Sequence, residues 1–263
     1  ADQADRILEY IDWDWGSSVV SKRDLMLIDL LANNDWSRPI YFSTTVGSSA
    51  SGFFWLTPYF RLEGLAYRFV PVKSSTPEGS YDFGDVNAEA CYNLMVNPKN
   101  EAGKFLYGNM EDPNVYLDET NRRLCFNLRT TFGRAASTLA IQGQNKKAIE
   151  MLDFGMQKMP VERFGYDYFL LSMIEGYFRA GAKEKANKLV DGFSANLDEN
   201  LNFYAQFRGS KRTFVTQDIE GDLQYYQMLV RLSSAYNGGN FDPAKMQSDP
   251  LFARYAEQAS KFQ

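Results

Sequence analysis

The 263-residue chain contains no histidine and only two cysteines, Cys91 and Cys125. The absence of histidine excludes Ser–His and Cys–His nucleophile pairs, histidine general bases and metal sites with an imidazole ligand. Two cysteines cannot supply the four ligands of a structural zinc site, so they form either one disulfide or two buried free thiols. The sequence therefore predicts no metal site and no cofactor.

Basic residues and long apolar runs are also scarce. Asp and Glu outnumber Lys and Arg by 33 to 28, which gives a formal charge of −5. Surfaces that bind nucleic acids usually carry a basic stripe, so we expect no nucleic-acid partner. No run approaches the roughly 18 apolar residues that a membrane-spanning helix needs.

Aromatic residues, by contrast, are abundant and make up 15% of the chain. The tryptophans all lie in the first quarter of the sequence. Aromatic faces stack on sugars, and an arginine beside an acid can bind a sugar or a peptide carboxylate. The candidate binding surface consists of Trp13, Trp15, Trp55, Tyr59, Arg61 and Glu63. The alternative is that the tryptophans pack in a core and that Arg61 and Glu63 form salt bridges.

Several other groups of residues have both a functional and a structural interpretation. The acids Asp112, Asp118 and Glu119 could hold a hard cation, or they could form a turn and a helix cap. The sequence has no EF-hand spacing there, which favours the cap. Glu63 and Asp82 could form a glycosidase pair only if they lay about 5 to 9.5 Å apart. The apolar string from Phe53 to Leu56 is a candidate contact with lipid or with a membrane domain.

Local patterns predict a mixed α/β portion over residues 1–115. Alternation over Ile7–Trp15 indicates a strand, and residues 40–46 and 65–72 have strand character. Ser21 with Asp24 predicts a capped helix that runs to Asn34. Another short helix is expected near residues 88–96.

From residue 116 to residue 263 the pattern is helical and contains an internal repeat. Two units, offset by 38 residues, resemble the tetratricopeptide repeat, and a glycine stands five residues before an alanine in each (Gly143 and Ala148, Gly181 and Ala186). In the first unit, the positions where the repeat pattern takes large, small, aromatic, alanine or proline residues are occupied by Phe132, Ala135, Ala136, Leu139, Ala148, Leu152, Gly155 and Pro160. We therefore expect an α+β fold, mainly α. In it the small N-terminal portion packs on a tetratricopeptide-like array of antiparallel helix hairpins.

Three strings resemble a known family more specifically than the repeats do. They are SKRDLMLIDLLANNDWSRPIYFSTTVGS (21–48), FRLEGLAYRFVPVK (60–73) and YGNMEDPNVYLDETN (107–121). The chain resembles the C-terminal soluble region of bacterial envelope proteins catalogued as domain of unknown function 2723, which are protein O-mannosyltransferase-like glycosyltransferases. The resemblance implies that sugar transfer belongs to a multi-span membrane domain, so no catalytic residue is carried over to this chain. It also implies a position on the periplasmic side of the bacterial cytoplasmic membrane.

These observations predict a non-catalytic accessory module of a glycosyltransferase-like membrane protein. Its expected partners are the membrane domain of the same parent chain and an acceptor protein or glycan. Two alternatives remain open. One is a carboxylate-dependent carbohydrate-active enzyme, and the other is a structural brace for the membrane domain.

Overall fold

A computed structural model describes most of the chain, as two compact units formed by residues 1–106 and 107–263. The described ranges are 6–11, 20–44, 56–74, 84–96, 107–237 and 249–262. The fold is mainly α with a small mixed α/β portion, which confirms the predicted fold class. The boundary at residue 115 and the packing of one portion on the other stay predictions.

The N-terminal unit combines two helices with a small mixed sheet. Its elements are α1 (Lys22–Ala32), β1 (Tyr41–Ser43), β2 (Phe60–Glu63), β3 (Ala66–Phe69), β4 (Asp85–Val86) and α2 (Ala88–Met95). The strand order is β1-β3-β2-β4. Strand β3 pairs antiparallel with both β1 and β2, whereas β4 pairs parallel with β2. One face of this sheet is apolar and forms the core of the unit with Leu56 and Tyr59.

Helix α1 begins at the predicted capping box. The Ser21 hydroxyl accepts a hydrogen bond from the Asp24 backbone N–H, and the Asp24 carboxylate accepts one from the Ser21 backbone N–H. These bonds satisfy two of the free N–H groups at the helix start. The helix contacts the core through Leu27 and Leu31. Leu25, on another side of the helix, is 57% exposed.

The predicted strand over Ile7–Trp15 is wrong for its described part. Residues 7–11 have no strand conformation, and Ile7 and Tyr10 are exposed. The Leu8 N–H donates to the Pro71 carbonyl at 2.9 Å. Alternating polarity can favour a strand, but a strand also needs a series of backbone hydrogen bonds to a neighbouring strand. Pro71 has no N–H to donate, so it cannot continue such a series. Residues 12–15 lie outside the described residues.

In its described residues, the C-terminal unit has helices as its regular elements, joined by turns. Its helices are α3 (Glu119–Ile141), α4 (Asn145–Lys158), α5 (Val161–Phe164), α6 (Leu170–Arg179), α7 (Lys183–Tyr204), α8 (Ser210–Phe214), α9 (Thr216–Asn237) and α10 (Pro250–Ser260). Helix α3 packs against α4 and α6, α6 against α7, and α9 against both α7 and α10. Within the described residues, no helix has both the length and the apolar composition to cross a membrane.

The turns after α3 and α6 have the same geometry. Gly143 and Gly181 both have positive φ, +77° and +81°. The residue after each glycine donates its backbone N–H to a carbonyl five positions earlier: Gln144 to Leu139, and Ala182 to Tyr177. This bond is typical of a helix that ends at a left-handed glycine. Each turn folds the chain back at once, so α3 pairs with α4 and α6 with α7 in helical hairpins.

The acids near residue 118 form a turn and a helix cap. Asp118 accepts a hydrogen bond from the Asn121 backbone N–H at 2.7 Å and caps α3. Asp112 accepts one from the backbone N–H of Asn114 at 2.9 Å.

The two cysteines are free thiols. The Cys91 sulfur is buried and accepts a hydrogen bond from the Gly64 N–H at 3.2 Å.

We expect the ion pair between Glu111 and Lys158 to make the stability of the C-terminal unit depend on acid pH. The Lys158 ammonium donates to the Glu111 carboxylate, and this bond holds the pKa of Glu111 below its usual value. A carboxyl group with a lowered pKa stabilises the fold above its unfolded pKa, near 4.3. That contribution is lost as pH falls through the folded pKa.

The substitution Lys158→Met should therefore lower the free energy of unfolding at pH 7 and have little effect near pH 2. Methionine keeps apolar contact with the rings of Tyr107 and Phe154, both 5.8 Å from the Lys158 ammonium. Urea unfolding of both proteins at the two pH values measures the difference. An equal loss at both values would show that the ion pair is not its source.

Candidate functional site

Four polar side chains form a row across one face of the sheet. The register places Arg68 opposite both Tyr41 and Arg61, and Arg61 opposite Asp85. Side chains directly opposite each other lie on the same face, and neighbouring strands are about 4.8 Å apart. The row of Tyr41, Arg68, Arg61 and Asp85 therefore spans about 14 Å, one residue from each strand. The alternate residues, such as Phe60 and Phe69, are buried on the opposite face.

Glu63 lies beside this row and orients it. One carboxylate oxygen accepts a hydrogen bond from the Tyr41 hydroxyl at 3.0 Å, and the other accepts one from the Asn87 side-chain amide at 2.8 Å. The Arg68 guanidinium is 4.0 Å from the same carboxylate. Burial, followed by the bond to Glu63, raises the pKa of Tyr41. We call Tyr41, Arg61, Glu63, Arg68 and Asp85 the polar sheet face.

The two arginines set the chemistry of the polar sheet face. Like charges directly opposite in a sheet repel each other, and the acids Glu63 and Asp85 offset that repulsion. Guanidinium groups present planar forks of N–H donors that match carboxylates and hydroxyl-rich groups. The side chains of Arg68 and Tyr41 are about half exposed. The face can therefore bind a ligand that offers oxygen acceptors, such as a carboxylate or a sugar.

The structure brings only part of the predicted surface together. Arg61 and Glu63 lie on the same face of β2. Tyr59 is 7% exposed and packs edge-on against Phe69 in the core, so it has little surface for a ligand. The other predicted residues, Trp13, Trp15 and Trp55, lie outside the described residues, and so does Asp82. Of the apolar string from Phe53 to Leu56, only Leu56 is described, and it is fully buried in the core rather than exposed for contact with lipid or a membrane domain. The predicted binding surface as a whole stays a prediction.

The sequence alone does not single out Tyr41, Arg68 or Asp85 as members of a site. Tyr41 and Asp85 are each at least 20 residues from Arg61 in the sequence. Only the strand register places them in one row. Arg68 carried a usable signal, since the short turn at Gly64 and Leu65 favours a hairpin with Arg61 opposite it. In the described ranges, no three His, Cys, Asp or Glu side chains are grouped to hold a metal ion.

Comparison with protein families gives one match, and it contains this site. Residues 1–90 match the family model for TMEM260-associated domain 2. The matched range includes every residue of the polar sheet face, whereas α3 and the later helices lie beyond it. No curated protein and no solved structure matches the chain. The match therefore connects the small mixed α/β portion to a glycosyltransferase-like protein.

Proposed function

We propose that this region is a non-catalytic accessory module of a glycosyltransferase-like membrane protein. In this proposal it lies on the periplasmic side of the bacterial cytoplasmic membrane and contacts the membrane domain of its parent chain. The polar sheet face binds the acceptor, which is a protein or a glycan. The observation that carries the proposal is the row of Tyr41, Arg68, Arg61 and Asp85 inside the range that matches TMEM260-associated domain 2.

The geometry of Glu63 supports binding over catalysis. Both of its carboxylate oxygens accept hydrogen bonds from side chains of the same unit. A glycosidase of this kind uses a pair of carboxyl groups on either side of the scissile bond. Glu63 instead positions Tyr41 and Arg68. The alternative of a carboxylate-dependent enzyme therefore has less support than a module that binds the acceptor.

The proposal also includes the C-terminal unit, which we infer to be a tetratricopeptide-like array of helical hairpins. The hairpins α3–α4 and α6–α7 share the same turn geometry at Gly143 and Gly181. Small residues stand where two helices meet: Gly133 of α3 lies against Ser172 of α6, and Gly155 of α4 lies against Phe132 of α3. Stacked hairpins of this kind present extended surfaces to other proteins. In the proposal, the array contacts a partner protein while the polar sheet face holds the acceptor.

The test compares the parent membrane protein with a variant that carries Arg61→Gln and Arg68→Gln. Glutamine keeps the length and some donors but removes the two charges. We expect the KM for the acceptor to rise about tenfold, which corresponds to about 1.4 kcal/mol, with little change in kcat. The matched control is Arg231→Gln, at an exposed position of α9, and it should leave both constants unchanged.

Two results would contradict the proposal. If the 263-residue chain by itself transferred or hydrolysed a sugar, the module would be an enzyme. If the double variant kept the wild-type KM while folding normally, the polar sheet face would not bind the acceptor. Circular dichroism of the variant shows whether it folds.

A further inference from the structure

The N-terminal unit contains an apolar cavity of about 560 Å³ next to the sheet. Its walls come from α1, from residues 7–11 and from the end of β3 with the residues that follow it. The apolar lining includes Ile11, Ile28, Leu31, Trp36, Phe69 and Pro71. Ligand pockets commonly have volumes of about 300–1,000 Å³, with mostly apolar walls and a few polar groups. The size and the lining both fit that description.

Trp36 lies in this lining in a backbone conformation that large residues rarely adopt. Its φ is +63°, in the left-handed region. Such a conformation costs about 1–3 kcal/mol for a non-glycine residue and is concentrated at functional sites. The Asp35 carboxylate, which accepts a hydrogen bond from the Ser37 N–H at 3.0 Å, supports the turn. The indole ring stacks on Phe69 with centroids 5.7 Å apart, and half of the residue stays exposed.

The charged residues of the lining favour a ligand with one negative charge. They are Glu9, Arg38 and Arg68, with a net charge of +1. Arg68 is 4.0 Å from Glu63, which neutralises part of its charge. Arg38 is exposed, and within the described part of the chain its guanidinium has no carboxylate partner. A guanidinium fork at the edge of an apolar cavity matches a carboxylate.

We propose that this cavity binds an amphipathic monoanion, with an aliphatic or aromatic body in the cavity and a single carboxylate at Arg38. Trp36 covers the body of the ligand with the exposed face of its ring. This binding goes beyond the proposed function, because it depends on Arg38 and Trp36, which do not belong to the polar sheet face, although Arg68 contributes to both surfaces. The positive φ of Trp36 then has a role, since it holds the indole ring against the cavity.

The test measures the affinity of the 263-residue chain for three probes with the same alkyl tail. Calorimetric titrations use dodecanoate, dodecanol and dodecyltrimethylammonium, each below the concentration at which it forms micelles. We expect dodecanoate to bind at least tenfold more tightly than the other two. Arg38→Ala should remove that preference, whereas Lys22→Ala, which removes an exposed cation of α1 outside the lining, should keep it.

A second variant, Trp36→Gly, removes the indole ring without straining the backbone, because glycine adopts a positive φ readily. It should weaken dodecanoate binding at least tenfold, and it should unfold at a higher temperature than Trp36→Ala. Equal affinity for the three probes, or unchanged affinity in both Arg38→Ala and Trp36→Gly, would overturn the proposal. If Trp36→Gly does not fold, the Arg38→Ala titration decides, because Arg38 is exposed and its removal opens no core.

Discussion

Replacing Asp167 with alanine should lower the free energy of unfolding of the C-terminal unit by about 3–5 kcal/mol. Asp167 pairs with Arg129, a residue of α3 whose side chain is fully buried. Removing one partner of a buried ion pair leaves the other charge without compensation. The Arg129 guanidinium would keep two weaker acceptors, the carbonyls of Gly165 at 2.9 Å and Met159 at 3.1 Å.

Asp167 also has a second role, which a matched variant separates from the first. One carboxylate oxygen accepts hydrogen bonds from the backbone N–H groups of Phe169 and Leu170, where α6 begins. Asp167→Asn keeps a side-chain oxygen for these donors but removes the negative charge. Asp167→Asn should therefore lower the free energy of unfolding less than Asp167→Ala does. The difference should be about 1 kcal/mol, because only the alanine variant loses the hydrogen bonds to the start of α6.

Urea unfolding followed by circular dichroism measures both variants against the wild type. We expect the free energy of unfolding to fall most for Asp167→Ala and less for Asp167→Asn. A loss below about 1 kcal/mol for Asp167→Ala would mean that Arg129 finds other compensation, for example from water. The ion pair would then contribute little to holding α3 against the start of α6.

The substitution Gly133→Ala should also destabilise the C-terminal unit strongly, by about 1–3 kcal/mol or more. A Cβ at this position of α3 would lie 2.4 Å from the carbonyl carbon of Ser172 and 2.5 Å from its oxygen. These are backbone atoms of α6, so a change of side-chain rotamer cannot relieve the overlap. The two helices would have to separate, which would loosen the contact between the hairpins α3–α4 and α6–α7.

Gly221 of α9 offers a matched control for this prediction. A Cβ there would meet no atom of the described residues within 4 Å. Alanine favours a helix over glycine by up to about 1 kcal/mol, so Gly221→Ala should be stabilising. The same substitution at two helical glycines should thus have opposite signs in urea unfolding. If both variants were stabilised, α3 and α6 would not be in close contact at Gly133.

The sequence was sufficient for features that depend on neighbouring residues. Ser21 and Asp24 predicted the start of α1, and Asp118 predicted the start of α3, because a helix cap involves residues only a few positions apart. The glycines at 143 and 181 likewise indicated the turns of the two hairpins.

Features that depend on distant partners could not be predicted in the same way. Strand β2 has only four residues, and its two charges suggested a binding motif rather than a strand. The row of the polar sheet face depends on the pairing of four strands, which no local pattern encodes. The close approach at Gly133 is not predictable for the same reason, since nothing in the sequence of α3 indicates that Ser172 lies against it. The apolar cavity also combines distant residues, from Ile11 to Pro71.

The division into two units has a spectroscopic consequence. All four tryptophans, at positions 13, 15, 36 and 55, belong to the unit formed by residues 1–106. The unit formed by residues 107–263 contains tyrosine and phenylalanine but no tryptophan. Selective excitation of indole therefore reports on the smaller unit alone, while far-ultraviolet circular dichroism is dominated by the helices of the larger one. One denaturation series recorded with both signals shows whether the two units unfold in the same transition or in separate ones, without separating the chain into fragments.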